Sequence, residues 1–240
     1  MKIGLAQIQS KKGDVTHNIA HHLVYVERAI EAELDFIVFP ELSITGYEPT
    51  LAKQLATTIE DEIFNPFQKL ADSSNIAIGI GMPTCASEGI HISMLLFQPQ
   101  RERLVYSKRV LHEDEIPFFT SGTHQPALTI KGTKVALGIC YETLQRAHFV
   151  EAKENGADVY LASVAKPDRG SAKAYVHFPS MAKEFRTPVL MCNAIGYCDD
   201  FLCNGQSAVW NGDGQLLGEL DDIHEGILVY DGKAKKVLSL

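Results

Sequence analysis

The sequence predicts an α/β fold in which amphipathic helices cover the faces of buried sheet strands. Strand-like and helix-like stretches alternate almost throughout the chain, the pattern of helices packed on sheets. Asp35–Phe39 and Lys134–Ile139 are short, nearly continuous apolar runs, as expected of strands covered on both faces. The chain has 240 residues, 45% hydrophobic and 22% charged, enough to bury a large core without disulfides or metals.

The elements follow in order. Lys2–Gln9 reads as a first strand; its apolar run is short and no small-residue cleavage site follows it. His17–Glu33 is a helix with Ile19, Leu23, Val26 and Ile30 on one stripe. Asp35–Phe39 is a strand that stops at Pro40, and Ile59–Ser74 is a second helix. Ile76–Gly81, Ile90–Gln98 and Arg103–Ser107 are strands, followed by an irregular stretch. Lys134–Ile139 runs into Cys140, with a helix over 143–155 capped by Gly156. Asp158–Ser163 is a strand, 171–185 a helix and Pro188–Asn193 a strand. The C-terminal part changes to strands at 207–210, 215–220 and 226–230, with a hairpin turn at Asn211-Gly212-Asp213-Gly214. No repeat or linker interrupts the chain, so residues 1–240 read as one domain.

The formal charge of −8 argues against nucleic-acid and anionic-lipid partners, which call for a basic face. No run approaches the roughly 18 apolar residues of a membrane span. Five cysteines without a regular framework read as reduced thiols of a cytoplasmic protein. Cys192, Cys198 and Cys203 lack a matching histidine and make a poor zinc pattern. His17, His21 and His22 cluster on the first helix, where a solvated face is the simpler reading.

Three residues at the ends of apolar strands could carry chemistry, since working groups in such sheets gather where strands end. Cys140 sits at a strand-to-helix turn, where helix N–H groups would favour thiolate and receive an oxyanion. Taken alone, it reads first as a small buried hydrophobe. Glu41 follows Phe36-Ile37-Val38-Phe39-Pro40 and could be a base with its pKa raised by partial burial, or an ordinary loop carboxylate. Lys108 could donate to an oxyanion or lie on the surface beside Arg109.

Together, FPELSITGY around Glu41, YSKRVLHEDEIPFFTSG around Lys108 and GICYE at Cys140 resemble the nitrilase superfamily of carbon–nitrogen hydrolases. The resemblance runs from GLAQIQ, through Asn193-Ala194-Ile195-Gly196, to GQSAVWNGDGQLL. It implies a four-layer α-β-β-α sandwich and a homodimer or higher homo-oligomer, paired through helices near the active site. It assigns Glu41 as general base, Lys108 as stabiliser of the tetrahedral intermediate and Cys140 as nucleophile, with the Tyr141 N–H completing the oxyanion hole. The family's second glutamate falls on Glu115, with Glu113 as the competing assignment. No metal or cofactor is implied; the partners are a small-molecule amide and water.

Tyr47, His112, Phe118, Phe119 and Ser163 follow functional strand ends and are candidates to line the pocket. The segment Ser180–Phe185 departs from the family's commonest helix at Met181 and Phe185, and the chain is short for the superfamily. Tyr141 after the nucleophile points to the amidase-like branches, because nitrilases usually carry tryptophan there. An N-carbamoyl amine or amino-acid hydrolase is the second reading, with Lys166 or Arg169 as a clamp for a substrate acid. A catalytically silent scaffold of the same fold is the third.

Overall fold

The computed structural model describes residues 1–124 and 126–240. The chain runs β1 (Lys2–Gln7), α1 (Val15–Glu31), β2 (Phe36–Val38), α2 (Ala52–Leu55), α3 (Asn65–Ser74), β3 (Ala77–Ala86), β4 (Gly89–Phe97), β5 (Leu104–Ser107), β6 (Leu128–Ile130) and β7 (Thr133–Ile139). It continues through α4 (Arg146–Glu154), β8 (Val159–Val164), α5 (Asp168–Phe185), β9 (Val189–Asn193), β10 (Ile195–Cys198), β11 (Phe201–Asn204), β12 (Ala208–Trp210), β13 (Leu216–Glu219), β14 (Gly226–Asp231) and β15 (Lys236–Ser239).

One sheet has the order β15-β14-β1-β2-β3-β4-β5 and the other β13-β12-β9-β8-β7-β6. Both are mixed, with parallel centres at β1-β2-β3 and β7-β8-β9. Side-chain alternation decides what each face meets. Ile3, Leu5, Phe36 and Val38 join Val135, Leu137, Ile139, Val159 and Leu161 in one apolar layer between the sheets. Their neighbours Ala6 and Ile37 face Tyr25, Val26 and Ala29 of α1 and Phe67 of α3. On the other side Ala136, Tyr160 and Ala162 face Phe149 of α4 and Phe178 of α5. The result is the four-layer α-β-β-α sandwich.

Local chemistry sets the ends of α1. The Asp14 side chain accepts from the His17 N–H at 3.1 Å, capping the first turn. At the other end Glu33 adopts a left-handed φ of +55°, and the N–H groups of Glu33 and Leu34 return to Ile30 and Ala29. That is a Schellman stop built without glycine.

The structure corrects several sequence expectations. The helix expected over Ile59–Ser74 starts at Asn65, after a 3-10 turn at Glu62–Phe64. The helix expected from Thr143 starts at Arg146, because Cys140–Leu144 forms a 3-10 turn. Strands β6, β10, β11 and β15 were not foreseen; they are three or four residues long, too short for a clear period. Nor does His22 belong to a solvated face. It is fully buried, with Nδ1 2.6 Å from the Asn18 carbonyl and Nε2 2.9 Å from Ser43 Oγ.

Those contacts suit a neutral ring that donates from Nδ1 to the carbonyl and accepts at Nε2. Burial pushes the His22 pKa down to about 3. Because the folded value lies below the ordinary one of 6.5, the unfolded chain binds the extra proton first. Stability from this site is therefore present above pH 6.5 and lost as pH falls towards 3, on the order of 5 kcal/mol in full. In urea unfolding, the gap between wild type and His22→Gln should close over that window. A gap constant with pH would refute the assignment.

Candidate active site

Glu41 is placed by a loop folded onto β3. Beyond β2, the Phe39 N–H still bonds Gly79, and the Ile44 N–H bonds the Gly81 carbonyl at 2.9 Å. The loop lies so close that a Cβ on Gly81 would stand 2.3 Å from Leu42 N and 2.4 Å from the Pro40 carbonyl oxygen. Both are backbone atoms on either side of Glu41, so neither can swing away. Gly81→Ala is expected to cost about 1–3 kcal/mol and most of the activity, read by thermal melting and turnover. Wild-type values in both would show that the close approach does not position Glu41.

Lys108 follows β5 and is fully buried. Its Nζ donates to Glu41 Oε1 at 2.8 Å and to Glu115 Oε1 at 2.5 Å. Glu115 also accepts from the Tyr47 hydroxyl at 3.0 Å and the His112 N–H at 2.7 Å. Glu115 is buried and Glu113 exposed, so the carboxylate beside Lys108 is Glu115. Burial pushes the Glu41 carboxyl above its usual range; the Lys108 ammonium opposes this and the Glu115 charge reinforces it. Burial alone would lower Lys108, but Glu41 and Glu115 carry it the other way, so it stays an ammonium.

Cys140 leaves β7 with φ +46°, in the left-handed region that non-glycine residues rarely occupy. The turn is held by the Thr143 hydroxyl on the Cys140 carbonyl (2.5 Å) and the Ile139 N–H on Glu142 Oε1 (2.8 Å). Glu142 is fully buried and also accepts from the Tyr106 hydroxyl (2.5 Å), the Arg109 N–H (2.8 Å) and the Val110 N–H (3.2 Å). One carboxylate thus ties the Cys140 turn to the segment carrying Lys108.

The pull towards thiolate expected of the turn is outweighed. Burial, with the Glu41 charge beside it, pushes the thiol up to about 11; Lys166 and Lys108 oppose. A five-residue 3-10 turn offers little dipole against that desolvation. The direction of that shift favours the thiol over the thiolate.

The thiol opens onto a pocket of about 320 Å³. Tyr47, His112, Glu115 and Tyr141 line one part, with the His112 ring edge-on to Tyr141 at 4.9 Å. Lys166, Arg169 and Lys173 line another part, and Phe201 of β11 also contributes. Glu41 and Lys108 lie beneath the pocket with no side-chain exposure. Ser163 does not reach the wall: its hydroxyl donates to the Phe39 carbonyl of the facing sheet at 2.8 Å. Phe119 is buried in the inter-sheet core and Phe118 is exposed; neither lines the pocket. Cys198 and Cys203 lie 3.1 Å apart in the β10–β11 ribbon, while Cys192 bonds the Ala6 and Val38 carbonyls. Among the described residues no helix is long and apolar enough to cross a membrane.

Three strand ends thus bring a carboxylate, an ammonium and a thiol beside one pocket between two sheets. Residues 2–237 match the model of the carbon-nitrogen hydrolase family, and the chain belongs to that family. Its family and its structural neighbours place it in the nitrilase superfamily. The structure is similar to that of the amidase from Nesterenkonia sp. AN1. A cysteine-to-alanine variant of that amidase in complex with butyramide superposes with a TM-score of 0.87 at 26% identity, over 98% of this chain and 92% of the other. Another variant, with the acetamide moiety of fluoroacetamide added at its active-site cysteine, gives 0.86 at 26% identity over 95% and 89%. In sequence, the chain is 26% identical over 235 residues to the glutamine-dependent NAD(+) synthetase of Xanthomonas campestris pv. campestris, covering 90% of this chain but 41% of that protein. It is 23% identical over 203 residues to an (R)-stereoselective amidase of Pseudomonas sp, covering 84% and 74%. The chain therefore spans less than half the length of the synthetase it matches.

Proposed function

We propose that the protein hydrolyses a small linear amide through an acyl-thioester on Cys140. The observation that carries this is the convergence of Glu41, Lys108 and Cys140 beside one pocket, with only Cys140 of the three on its wall. Glu41 Oε1 is occupied by Lys108, Oε2 is buried with no other well-formed hydrogen bond among the described residues, and the carboxylate interacts with the Cys140 side chain. A raised, half-satisfied carboxylate suits a general base.

In the acylation step Glu41 takes the Cys140 proton as Sγ attacks the amide carbon. The carbonyl π pair moves onto oxygen, where the Lys108 ammonium and the Tyr141 N–H stabilise it; one such donor contributes about 2.7–4 kcal/mol. Collapse breaks the C–N bond, and the leaving nitrogen takes the proton held by Glu41. Water, deprotonated by Glu41, then attacks the thioester and releases the acid. Glu115, anchored by Tyr47 and the His112 N–H, holds Lys108 in place. The Nesterenkonia amidase, with an acetamide moiety on its cysteine and butyramide bound in a variant, supports the amide reading.

A second reading, hydrolysis of an N-carbamoyl amine or amino acid, is favoured by one feature. Arg169 and Lys173 line the pocket and have no hydrogen-bond or ion-pair partner among the described residues, as a site for a substrate acid would. Ammonia and carbon dioxide release, measured on a panel of amides and N-carbamoyl compounds, separates the two. Ammonia without carbon dioxide supports the amidase; turnover confined to carbamoyl compounds replaces it. Assembly as a homodimer is part of the proposal, supported by Val176 and Leu202, which are exposed on α5 and β11, elements that also contribute to the pocket.

A further inference from the structure

We propose that Lys166 is a second catalytic cation, acting on the sulfur of Cys140 rather than on the substrate oxygen. The proposal rests on the thioester reading above and adds a residue to it. Lys166 follows β8 and is 3% exposed. Its Nζ lies 3.6 Å from Cys140 Sγ and pairs with no carboxylate among the described residues. A buried ammonium without a counter-ion is costly unless something nearby supplies negative charge. At this position the supplier is the nucleophile itself, when it becomes thiolate.

The fold holds this lysine on purpose-built supports. Its N–H donates to Asn193 Oδ1 at 2.8 Å, and its carbonyl accepts from Asn193 Nδ2 and the Asn204 N–H, each at 3.2 Å. Asn193 is itself fully buried and fixed by further bonds to the Ala194 N–H and the Gly205 carbonyl. Gly170 leaves room for the lysine stem: a Cβ there would stand 3.2 Å from Lys166 Cβ and 3.4 Å from Cγ.

The groups facing Cys140 are Glu41, Lys108, Glu115, Lys166, Tyr47 and Cys203. Glu41 and Glu115 disfavour thiolate, while Lys166 and Lys108 favour it, Lys166 more strongly. Lys108 is already shared between two carboxylates, so Lys166 is the cation left for sulfur. It works twice in a turnover. During acylation it stabilises negative charge on Sγ as the proton leaves for Glu41. During deacylation the C–S bond breaks with its electron pair going to Sγ; Lys166 stabilises that thiolate until the Glu41 carboxyl returns the proton.

The test is alkylation of Cys140 by iodoacetamide between pH 7 and 9, followed by peptide mapping, in wild type, K166M, K166R and G170A. Removing the cation raises the thiol pKa. A tenfold loss of thiolate, partly offset by the greater nucleophilicity of a more basic sulfur, slows alkylation about three- to fivefold at each pH. K166R should restore most of the rate, and G170A, which displaces the stem but keeps the charge, should fall between. Unchanged alkylation in both K166M and G170A would overturn the proposal. Alkylation needs no amide turnover, so these outcomes stand apart from failure of the amidase reading, which the amide panel detects.

Discussion

Glu41→Gln is expected to stop turnover while leaving the fold in place. Glutamine is nearly isosteric, and its carbonyl oxygen can still accept from Lys108. What it cannot do is take a proton from a thiol whose pKa stands at about 11. Loss of a positioned general base typically costs 10²- to 10⁴-fold in rate, roughly 3–5 kcal/mol of transition-state stabilisation. On any amide that the wild type hydrolyses, kcat/KM should fall by about that factor, with a melting temperature within a few degrees of wild type. Activity within tenfold of wild type would assign the proton transfer to another group.

Replacing Lys108 by methionine is expected to damage stability and turnover together. The ammonium sits between two carboxylates in a site with no exposure, and truncating one partner of a buried ion pair costs about 3–5 kcal/mol. Glu41, already pushed up by burial, would be pushed further by the now unopposed Glu115 charge. A carboxyl whose folded pKa exceeds its unfolded one contributes stability below the unfolded value, and that contribution is lost as pH rises. The deficit of Lys108→Met against wild type should therefore be smaller at pH 5 than at pH 7.5 in urea unfolding. A deficit independent of pH, or none, would show that Lys108 does not neutralise Glu41. Turnover should fall by about 10²- to 10³-fold even under conditions where the variant is folded.

Much of this site was legible before the structure, because its parts stand at strand ends. The apolar runs before Glu41, Lys108 and Cys140 mark buried strands, and a polar residue that ends such a run has few places to go. Helices packed on sheets were legible from the alternation of strands and helices, while the four layers came from the family resemblance; in the structure Val135, Leu137 and Ile139 of β7 meet the other sheet and Ala136 meets the helices. The choice between Glu113 and Glu115 was not legible. Two acids in one loop differ in sequence by nothing that decides which turns inward, and the Glu115–His112 backbone turn settles it. Glu142 and Asn193 were read as motif letters, yet they are the struts that fix Cys140 and Lys166. The bonds that tie Glu142 to Tyr106, Arg109 and Val110, and Asn193 to Lys166, reach tens of residues along the chain, beyond any local pattern. The pull of the turn on the Cys140 thiol was legible, but its burial beside Glu41, which outweighs that pull, was not. Lys166 stood out in sequence only as a cation near a pocket; its contact with sulfur depends on a crossover between β7 and β8.

An acyl-thioester on Cys140 is trapped by acid quenching of the enzyme during turnover of a small amide, followed by intact mass and peptide mapping, beside Cys140→Ala. The wild type should carry one acyl increment on the peptide containing Cys140, removable by hydroxylamine, and the alanine variant should show neither adduct nor turnover. Turnover that persists in Cys140→Ala, or an adduct on another residue, would contradict the account.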